Sequence, residues 1–277
     1  MYSLIKWKKL LYKNKYLFKI LKAYWTFAYL IKIIINPKRF FILTESQNQN
    51  EENIFLKNLS KYTVNKNFIE LGFHFRQFNT IGLIENNFSG KLVDSAKYDF
   101  LNIILMRLIT KIIKKDVKVI NKFIDLDNVK EIFYNKNLGF LSIDIDGNDY
   151  WILSKILENN IIPEVLIVEY NASFLNHPIT IPYKKDFNMY KEHPSHYYHG
   201  ASLIAFDKLT KKYDYALIKS IAGTNAIFIQ KKLLNKTDQK QYEPYEVFQE
   251  CLPRNRKGKN NSKIQYDQIK HLPLVKV

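Results

Sequence analysis

The chain is poor in the residue types that define several classes of protein. Its single cysteine, Cys251, excludes a disulfide framework and favours a reducing compartment, of which the cytoplasm is the simplest. With only eight glycines and eight prolines in 277 residues, it is not a collagenous or low-complexity chain. Because 47% of the residues are hydrophobic, the composition also excludes intrinsic disorder and predicts a globular protein.

Acidic residues are missing from the first 43 positions, which hold ten Lys or Arg. Residues 254–277 are basic as well, with seven Lys or Arg against one Asp. The intervening residues 44–253 hold 26 basic and 25 acidic groups and are almost neutral. The net charge of +17 therefore lies at the two ends of the chain, and a nucleic-acid groove across the body is not indicated.

An uninterrupted apolar run of membrane-spanning length is also missing near the N-terminus, because Lys19, Lys22 and Lys32 interrupt it. At 100° per residue the segment predicts an amphipathic helix. One side holds Lys8, Lys15, Lys19, Lys22 and Thr26, and the opposite side holds Leu17, Ile20, Tyr24, Phe27 and Ile31. We assign residues 1–45 to a basic amphipathic segment, which suits an anionic inner-membrane surface through residues 1–35, or packing on its own domain or a twin subunit. The expected location is cytoplasmic, and the first of these alternatives would add a peripheral position on the inner face of the membrane.

The rest of the chain alternates strand and helix patterns, which indicates parallel βαβ units. We predict an α/β domain over residues 46–235 with a Rossmann-like, seven-stranded, mostly parallel sheet, and a basic tail over 236–277. Predicted strands cover 67–71, 91–94, 117–120, 140–145 and 163–171, followed by an antiparallel pair within 215–232. Predicted helices cover 52–62, 81–87, 98–114, 126–135, 149–159 and 201–213.

The segment LGFLSIDIDGNDYWIL, residues 138–153, combines a buried-strand pattern with three carboxylates at its end. Asp144, Asp146 and Asp149 would lie at the carboxyl end of the strand, where open α/β sheets bind ligands. A turn-and-cap role accounts equally well for Asp146 alone. The segment therefore predicts a ligand site that includes Asp144.

Two earlier strand ends carry the same kind of signal. Glu70 and Gly72 follow the first predicted strand, and Asp94 ends the second, where a carboxylate can bind ribose hydroxyls. The loop after the first strand has neither GxGxxG nor a lysine-bearing phosphate loop. This pattern favours a nucleoside without phosphates over a dinucleotide or a nucleoside triphosphate.

These motifs resemble those of class I S-adenosylmethionine-dependent methyltransferases. Within that class they resemble the FkbM-like group, which is associated with methylation of sugars and other small hydroxylated compounds. The resemblance spans roughly residues 66–232 and rests on FIELGFHFRQFN, LVDSAKYD, LSIDIDGNDYWIL, VLIVEYNASF, GASL and GTNAIFI.

The resemblance implies S-adenosylmethionine as cofactor and assigns roles to residues at the strand ends. Glu70 and Gly72 would border its methionine part, Asp94 its ribose, and Lys122 and Phe123 its adenine. The first loop departs from the usual pattern, because Phe73, His74, Phe75 and Arg76 stand where many such enzymes have glycines.

Methyl transfer to a hydroxyl group needs an acceptor oxygen that is held in line and made nucleophilic. Asp144 is the candidate to take the hydroxyl proton or to bind a divalent metal that lowers the hydroxyl pKa. By analogy with catechol-type O-methyltransferases, Asp144, Glu169 and Asn171 would bind Mg²⁺ or Mn²⁺. The alternative for Glu169 and Asn171 is that they only hold their loop.

Residues 172–200 have no regular pattern and carry four of the six histidines along with several tyrosines. Long irregular segments of this kind commonly cover active sites, and aromatic rings with polar tips suit sugars. We predict a cover over a small-molecule or glycan acceptor, with His199 as a candidate general base.

The sequence is also compatible with two other functions. Asp144-x-Asp146 after an apolar strand resembles the DxD motif of metal-dependent glycosyltransferases, although a three-residue motif is common by chance. A non-catalytic, degenerate methyltransferase-like domain that docks on membranes or partners is the third reading. The sequence favours an O-methyltransferase acting on a saccharide or related hydroxylated acceptor in surface glycan biosynthesis.

Overall fold

A computed structural model describes residues 15–43, 47–133, 137–255 and 258–277. The N-terminal helices are α1 (Lys15–Ile35), α2 (Arg39–Leu43) and α3 (Gln47–Leu59). Then come β1 (Asn67–Leu71), α4 (Ile81–Glu85), β2 (Ser89–Asp94), α5 (Ala96–Ile113), β3 (Val117–Asn121), β4 (Phe140–Ile143), α6 (Asp149–Glu158) and β5 (Val165–Glu169). The remaining elements are β6 (Ile179–Thr180), α7 (Met189–Glu192), α8 (Leu203–Lys211), β7 (Tyr215–Ile221), β8 (Asn225–Gln230), α9 (Lys231–Leu234), α10 (Pro244–Val247), α11 (Ser262–Ile269) and β9 (Val275–Lys276).

Seven strands form one sheet in the order β3-β2-β1-β4-β5-β8-β7. The first five pair in parallel, and β8 runs antiparallel to both β5 and β7. This confirms the predicted Rossmann-like α/β class with its closing antiparallel pair. Because the strand order reverses between β1 and β4, the carboxyl ends of these two strands flank the position where doubly wound sheets bind ligands.

The central strands are apolar on both faces because helices cover both sides of the sheet. One face packs on α6 and α8 through side chains such as Ile152, Leu153 and Phe206. The other face packs on the N-terminal helices and α5, with Ile33, Phe40, Leu56 and Ile103 in the core. Strands β4 and β5 are fully buried apart from Glu169, which explains their continuous apolar sequence.

The structure differs from the predictions at one helix and at the C-terminus. The helix predicted over 126–135 is a single 3₁₀ turn, Val129–Ile132, and residues 134–136 lie outside the described part. The predicted tail over 236–277 contains α10, α11 and β9. Cys251 of this segment lies in the core beside the sheet, and Ile269 packs with Phe174, Ile181 and other residues of the predicted cover. The segment was predicted to be a tail because of its basic residues.

The N-terminal helix α1 extends over 21 residues and packs on the sheet side that holds α5. In the described part of the chain, no helix combines the length and apolar character that a bilayer span requires. Lys8, which the sequence placed on the polar side of this helix, lies outside the described residues.

Candidate functional site

A cavity of about 540 Å³ opens at the carboxyl ends of β1 to β4. This size falls in the range of small-molecule and cofactor sites. Six of the residues singled out from the sequence line it, namely Glu70, Gly72, Asp94, Lys122, Phe123 and Asp144. The cover contributes Phe187, Asn188, Met189 and Tyr190. The structure thus brings the strand-end residues together although they are spread over 75 positions of the chain.

Glu70 lies at the base of the cavity and fixes the loop that follows β1. Its carboxylate accepts the backbone N–H groups of Asn79 (2.7 Å) and Thr80 (3.0 Å) and the Thr80 hydroxyl (2.5 Å). Burial raises its pKa to about 7 against these hydrogen bonds. Glu70 therefore shapes the cavity by holding residues 73–80 in place.

Gly72 is required by the packing of β1 on β4. It has φ +81°, and an added Cβ would lie 1.7 Å from the carbonyl oxygen of Asp144. A side chain at this position would push the ends of the two strands apart. The glycine thus brings Asp144 next to the first loop.

Asp94 is half-buried at the end of β2 and is held by its surroundings. Its carboxylate accepts the Ser95 N–H (2.6 Å) and the Asn102 side-chain amide (3.2 Å). Burial raises its pKa to about 6, and hydrogen bonds from Ser95 and Phe73 oppose the rise. Asn102 also binds both the carbonyl of Phe73 and the N–H of Phe75, so it ties the first loop to Asp94.

Lys122 and Phe123 follow β3 and line the side of the cavity next to Asp94. The Lys122 ammonium group pairs with Glu131. The aliphatic part of Lys122 and the Phe123 ring can both offer apolar surface to a ligand on this side of the cavity.

Three carboxylates converge at the ends of β4 and β5. Asp144, Asp146 and Glu169 each offer an oxygen within 4.8 Å of the others. Burial, reinforced by the neighbouring acids, raises the pKa of Asp144 and of Glu169 well above the ordinary value. Crowded carboxylates repel one another in a site of low dielectric constant, and a bound proton or a bound cation would relieve this repulsion.

The acids of the DIDGND motif have separate roles. Asp149 is fully buried and accepts the N–H groups of Ile145 (2.8 Å) and Gly147 (2.8 Å), so it holds the turn. Asp146 adopts φ +57° and lines the cavity. The sequence left a turn-and-cap role open for Asp146, and in the structure its carboxylate belongs to the acidic cluster.

Asn171 lies beside the cluster with its amide engaged. Its nitrogen donates to the carbonyls of Tyr197 (2.7 Å) and His199 (2.8 Å), and its oxygen accepts from Ser173 N–H (3.0 Å) and Arg254 (3.2 Å). This arrangement fits the loop-holding alternative that the sequence left open, and Asp146 occupies the third position of the carboxylate set.

His199 is buried behind Glu169 and is not among the described residues that line the cavity. Its Nε2 accepts from the Arg254 guanidinium at 2.7 Å, and its Nδ1 lies 3.8 Å from Glu169. Burial and the adjacent Arg254 lower its pKa well below 6.5, so the ring is neutral. His199 is thus held by Arg254, lies near Glu169 and does not itself form part of the cavity wall among the described residues.

Sequence reasoning missed Arg254 and Asn102. Arg254 is 55 residues from its partner His199 and lies in a stretch that reads as a charged tail. Asn102 lies within the apolar helix pattern LNIILM. A polar residue on the buried side of such a helix is a signal that could have identified Asn102 as a residue that holds the site.

Neither a protein-family model nor a curated protein matches this chain. Among solved structures, the O-methyltransferase from Bacillus cereus in complex with SAH aligns at a TM-score of 0.45 and 14% identity, over 74% of this chain and 90% of that one. SAH-bound methyltransferase PaMTH1 from Podospora anserina aligns at 0.45 and 12%, over 68% and 80%. An O-methyltransferase family protein from Burkholderia thailandensis aligns at 0.41 and 11%, over 72% and 57%. At these scores and identities, the similarities carry no information on the chemistry of this chain.

Proposed function

We propose that this protein is an S-adenosylmethionine-dependent O-methyltransferase. One observation carries the proposal: carboxylates from the ends of β1, β2 and β4 meet in one cavity at the point where the strand order reverses. Asp94 offers hydrogen-bond acceptors for ribose hydroxyls, as expected at the end of the second strand. Phe123 and the Lys122 stem offer apolar surface for a base. A nucleoside without phosphates suits this wall because it needs no phosphate loop.

The charge of the cavity fits the same cofactor. S-adenosylmethionine carries a sulfonium and an ammonium cation and supplies a methyl group that an oxygen nucleophile can take. Asp144 and Asp146 line the cavity, and a bound cation would lower their raised pKa values. Asp144 is the residue proposed to accept the proton of the acceptor hydroxyl.

A divalent cation is the second group that the residues fit. Asp144, Asp146 and Glu169 form a set of hard oxygen ligands of the kind that Mg²⁺ and Mn²⁺ bind. Held there, the metal would polarise the acceptor hydroxyl, and Asn171 and Arg254 would support the ligand set from behind.

The acceptor is proposed to be a saccharide or a related hydroxylated compound, such as a precursor of a surface glycan. Met189 and Tyr190 line the cavity from the cover, and Tyr190 is largely exposed to solvent with its ring edge-on to His196. Exposed aromatic rings beside acidic groups suit the apolar faces and hydroxyls of a sugar ring. Such a reaction would take place in the cytoplasm or on the inner face of its membrane.

A metal-dependent glycosyltransferase is the second candidate. The observation that favours it is that Asp144 and Asp146, the acids of the DxD pattern, both belong to the carboxylate cluster. A glycosyltransferase function would give no role to Asp94 at the end of β2.

Calorimetric titration of the full chain separates the two candidates. We expect heat of binding with S-adenosylmethionine and none with UDP- or GDP-sugars in the presence of Mn²⁺. Asp94→Asn should weaken binding of the methyl donor by about tenfold or more, because it removes a charge-assisted hydrogen bond to ribose. Asp116→Asn, which changes an exposed acid directly before β3, at the end of the strands opposite to the cavity, is the matched control. Heat with a nucleotide sugar and none with the methyl donor would replace the first candidate by the second.

A further inference from the structure

Helix α1 leaves a continuous apolar side uncovered. The side chains of this side, here called the α1 apolar face, are those of Ile20, Tyr24, Phe27, Ile31, Ile34 and Ile35, all exposed. They recur at helical spacing and therefore lie along one line of the helix. Tyr24 is 62% exposed and Phe27 64%, and the face as a whole presents on the order of 500 Å² of apolar surface, a patch size that is often functional in soluble proteins.

The opposite side of α1 is anchored to the domain. Ile33 is fully buried and Tyr29 nearly so. The Arg76 guanidinium stacks over the Tyr29 ring at 4.9 Å and donates to the Thr26 hydroxyl at 3.2 Å. The helix is therefore fixed in an orientation that points its apolar face outward, and the exposure does not come from a detached helix.

A second exposed apolar stripe lies on α5, which contacts α1. Phe100, Leu101, Ile104 and Leu108 are all exposed, at spacings that place them on one side of α5. Two neighbouring helices thus both present apolar side chains to solvent.

The charge of both helices indicates which kind of partner would bind these apolar side chains. Residues 15–43 hold six basic residues and no acid, and residues 96–115 hold five basic residues against Asp99. In a two-fold symmetric dimer the same face would meet itself and bring together the exposed Lys32, which borders the α1 apolar face, and the exposed Lys111, which continues the stripe of α5. An anionic lipid surface offers both an apolar interior and the opposite charge.

We propose that the α1 apolar face, together with the exposed stripe of α5, docks the protein on the surface of an anionic lipid bilayer. The helix lies in the plane of the interface, with the apolar face in the acyl boundary and the exposed Trp25 and Lys32 at headgroup level. This docking is independent of the chemistry in the cavity.

The test is flotation of the full-length protein with vesicles of phosphatidylcholine, with and without phosphatidylglycerol. We expect the protein to float with the anionic vesicles and to bind the zwitterionic ones at least about tenfold more weakly. The double substitution Tyr24→Ser/Phe27→Ser should lower the affinity for anionic vesicles by about tenfold or more. Tyr245→Ser, which removes an equally exposed ring from α10, is the matched control and should bind as the parent does.

Charge is tested in the same way with Lys32→Glu/Lys111→Glu, which should weaken binding, against Lys240→Glu, which should not. All these positions are exposed, so the variants should keep the circular dichroism spectrum of the parent. Equal vesicle binding by the parent and Tyr24→Ser/Phe27→Ser would overturn the proposal. So would the absence of vesicle binding together with a dimer in sedimentation that this double substitution dissociates, because a second copy would then cover the face.

Discussion

The backbone around the carboxylates at the end of β4 places each of them in a different environment. Asp149 receives two backbone N–H groups and is enclosed, with a pKa raised by burial to about 6. Asp146, three positions earlier, reaches the cavity because its backbone adopts a left-handed conformation. Asp144 lies between the loop of β1 and Glu169. One short motif thus supplies both the residue that holds the turn and the residues that face a ligand.

Replacing Gly72 by alanine should destabilise the protein by at least about 3 kcal/mol, because the added Cβ meets the Asp144 carbonyl at 1.7 Å on top of the strain of a positive φ. Gly200→Ala is the control, since Gly200 has φ +62° but open space around its Cβ. Gly200→Ala should lower the free energy of unfolding only by the backbone strain, about 1–2 kcal/mol. The free energy of unfolding in urea measures both, and equal losses would show that the contact with Asp144 is unimportant.

The imidazole of His199 should stay neutral in the folded protein well below the ordinary histidine midpoint of 6.5, because burial and then Arg254 lower its pKa. Since the unfolded chain binds this proton more readily, the group favours unfolding as the pH falls below that midpoint. NMR of the side-chain nitrogens, assigned with His199→Gln, measures the titration. A midpoint near 6.5 would contradict the buried environment.

At the residue scale, the sequence could predict the acids at strand ends, because a buried parallel strand fixes where its carboxyl end lies. It could not predict Arg254 or Asn102. Arg254 contributes through tertiary contacts to Asn171 and His199, and nothing local to its own segment indicates them.

At the scale of elements, the cover and the C-terminal segment form one unit. Strand β9 pairs with β6, and α11 packs its Ile269 against Phe174 and Ile181. The Tyr198 hydroxyl donates to the carbonyl of Pro273 at 2.6 Å. The end of the chain therefore holds the segment that carries Met189 and Tyr190 over the cavity.

Deleting residues 275–277 should loosen the cover while leaving the main sheet intact. The deletion removes the β6–β9 pairing, the bond from Val277 N–H to the Pro178 carbonyl and that from Lys208 to the Val277 carbonyl. Hydrogen exchange should then be at least about tenfold faster across residues 179–200 and unchanged in β4 and β5. Lys276→Ala keeps the backbone pairing and should exchange like the parent; unchanged exchange in the deletion variant would show that the cover is held by its own contacts.

The central strands could be predicted because their apolar sequence patterns are strong. Strand β1 has the predicted bounds, and β2, β4 and β5 differ from their predicted bounds by a few residues at the ends. The pairing of β6 with β9 was not, because two-residue strands carry no periodic signal. The sequence also did not reveal which side of α1 packs on the domain. Tyr29 and Ile33 on the basic side make the contact, and the apolar side stays exposed.

On the scale of the whole molecule, charge is arranged in opposite ways inside and outside. The basic excess lies in the terminal segments, whereas the interior around the cavity collects acids from β1, β2, β4, β5 and α3. Burial raises the pKa of Glu52 to about 8 and that of Glu70 to about 7. Glu52 accepts from Asn225, which also donates to Asn79, the residue whose N–H binds Glu70, so this polar chain extends from α3 to the cavity.

These acids make the protein without bound cations more stable in mild acid than in mild base. Glu52, Glu70, Asp94 and Asp149 have folded-state pKa values raised to between about 6 and 8 from the ordinary values of 4.5 for Glu and 3.8 for Asp. Between these values the folded state binds more protons than the unfolded chain, so the stability is fully present below the ordinary values and is lost as the pH rises through about 6 to 8. Each unit of difference corresponds to about 1.4 kcal/mol.

Replacing Glu52 by glutamine should flatten this dependence, because the amide oxygen still accepts from Asn225 but carries no titrating proton. We expect urea unfolding to give a smaller difference in free energy between about pH 5 and pH 8 for Glu52→Gln than for the parent, with the gain on the basic side. Asp238→Asn, at an exposed position, should keep the dependence of the parent. If Glu52→Gln and Asp238→Asn give the same pH dependence, Glu52 is already ionised in the folded protein, and the interior acids must be balanced by a cation bound among them.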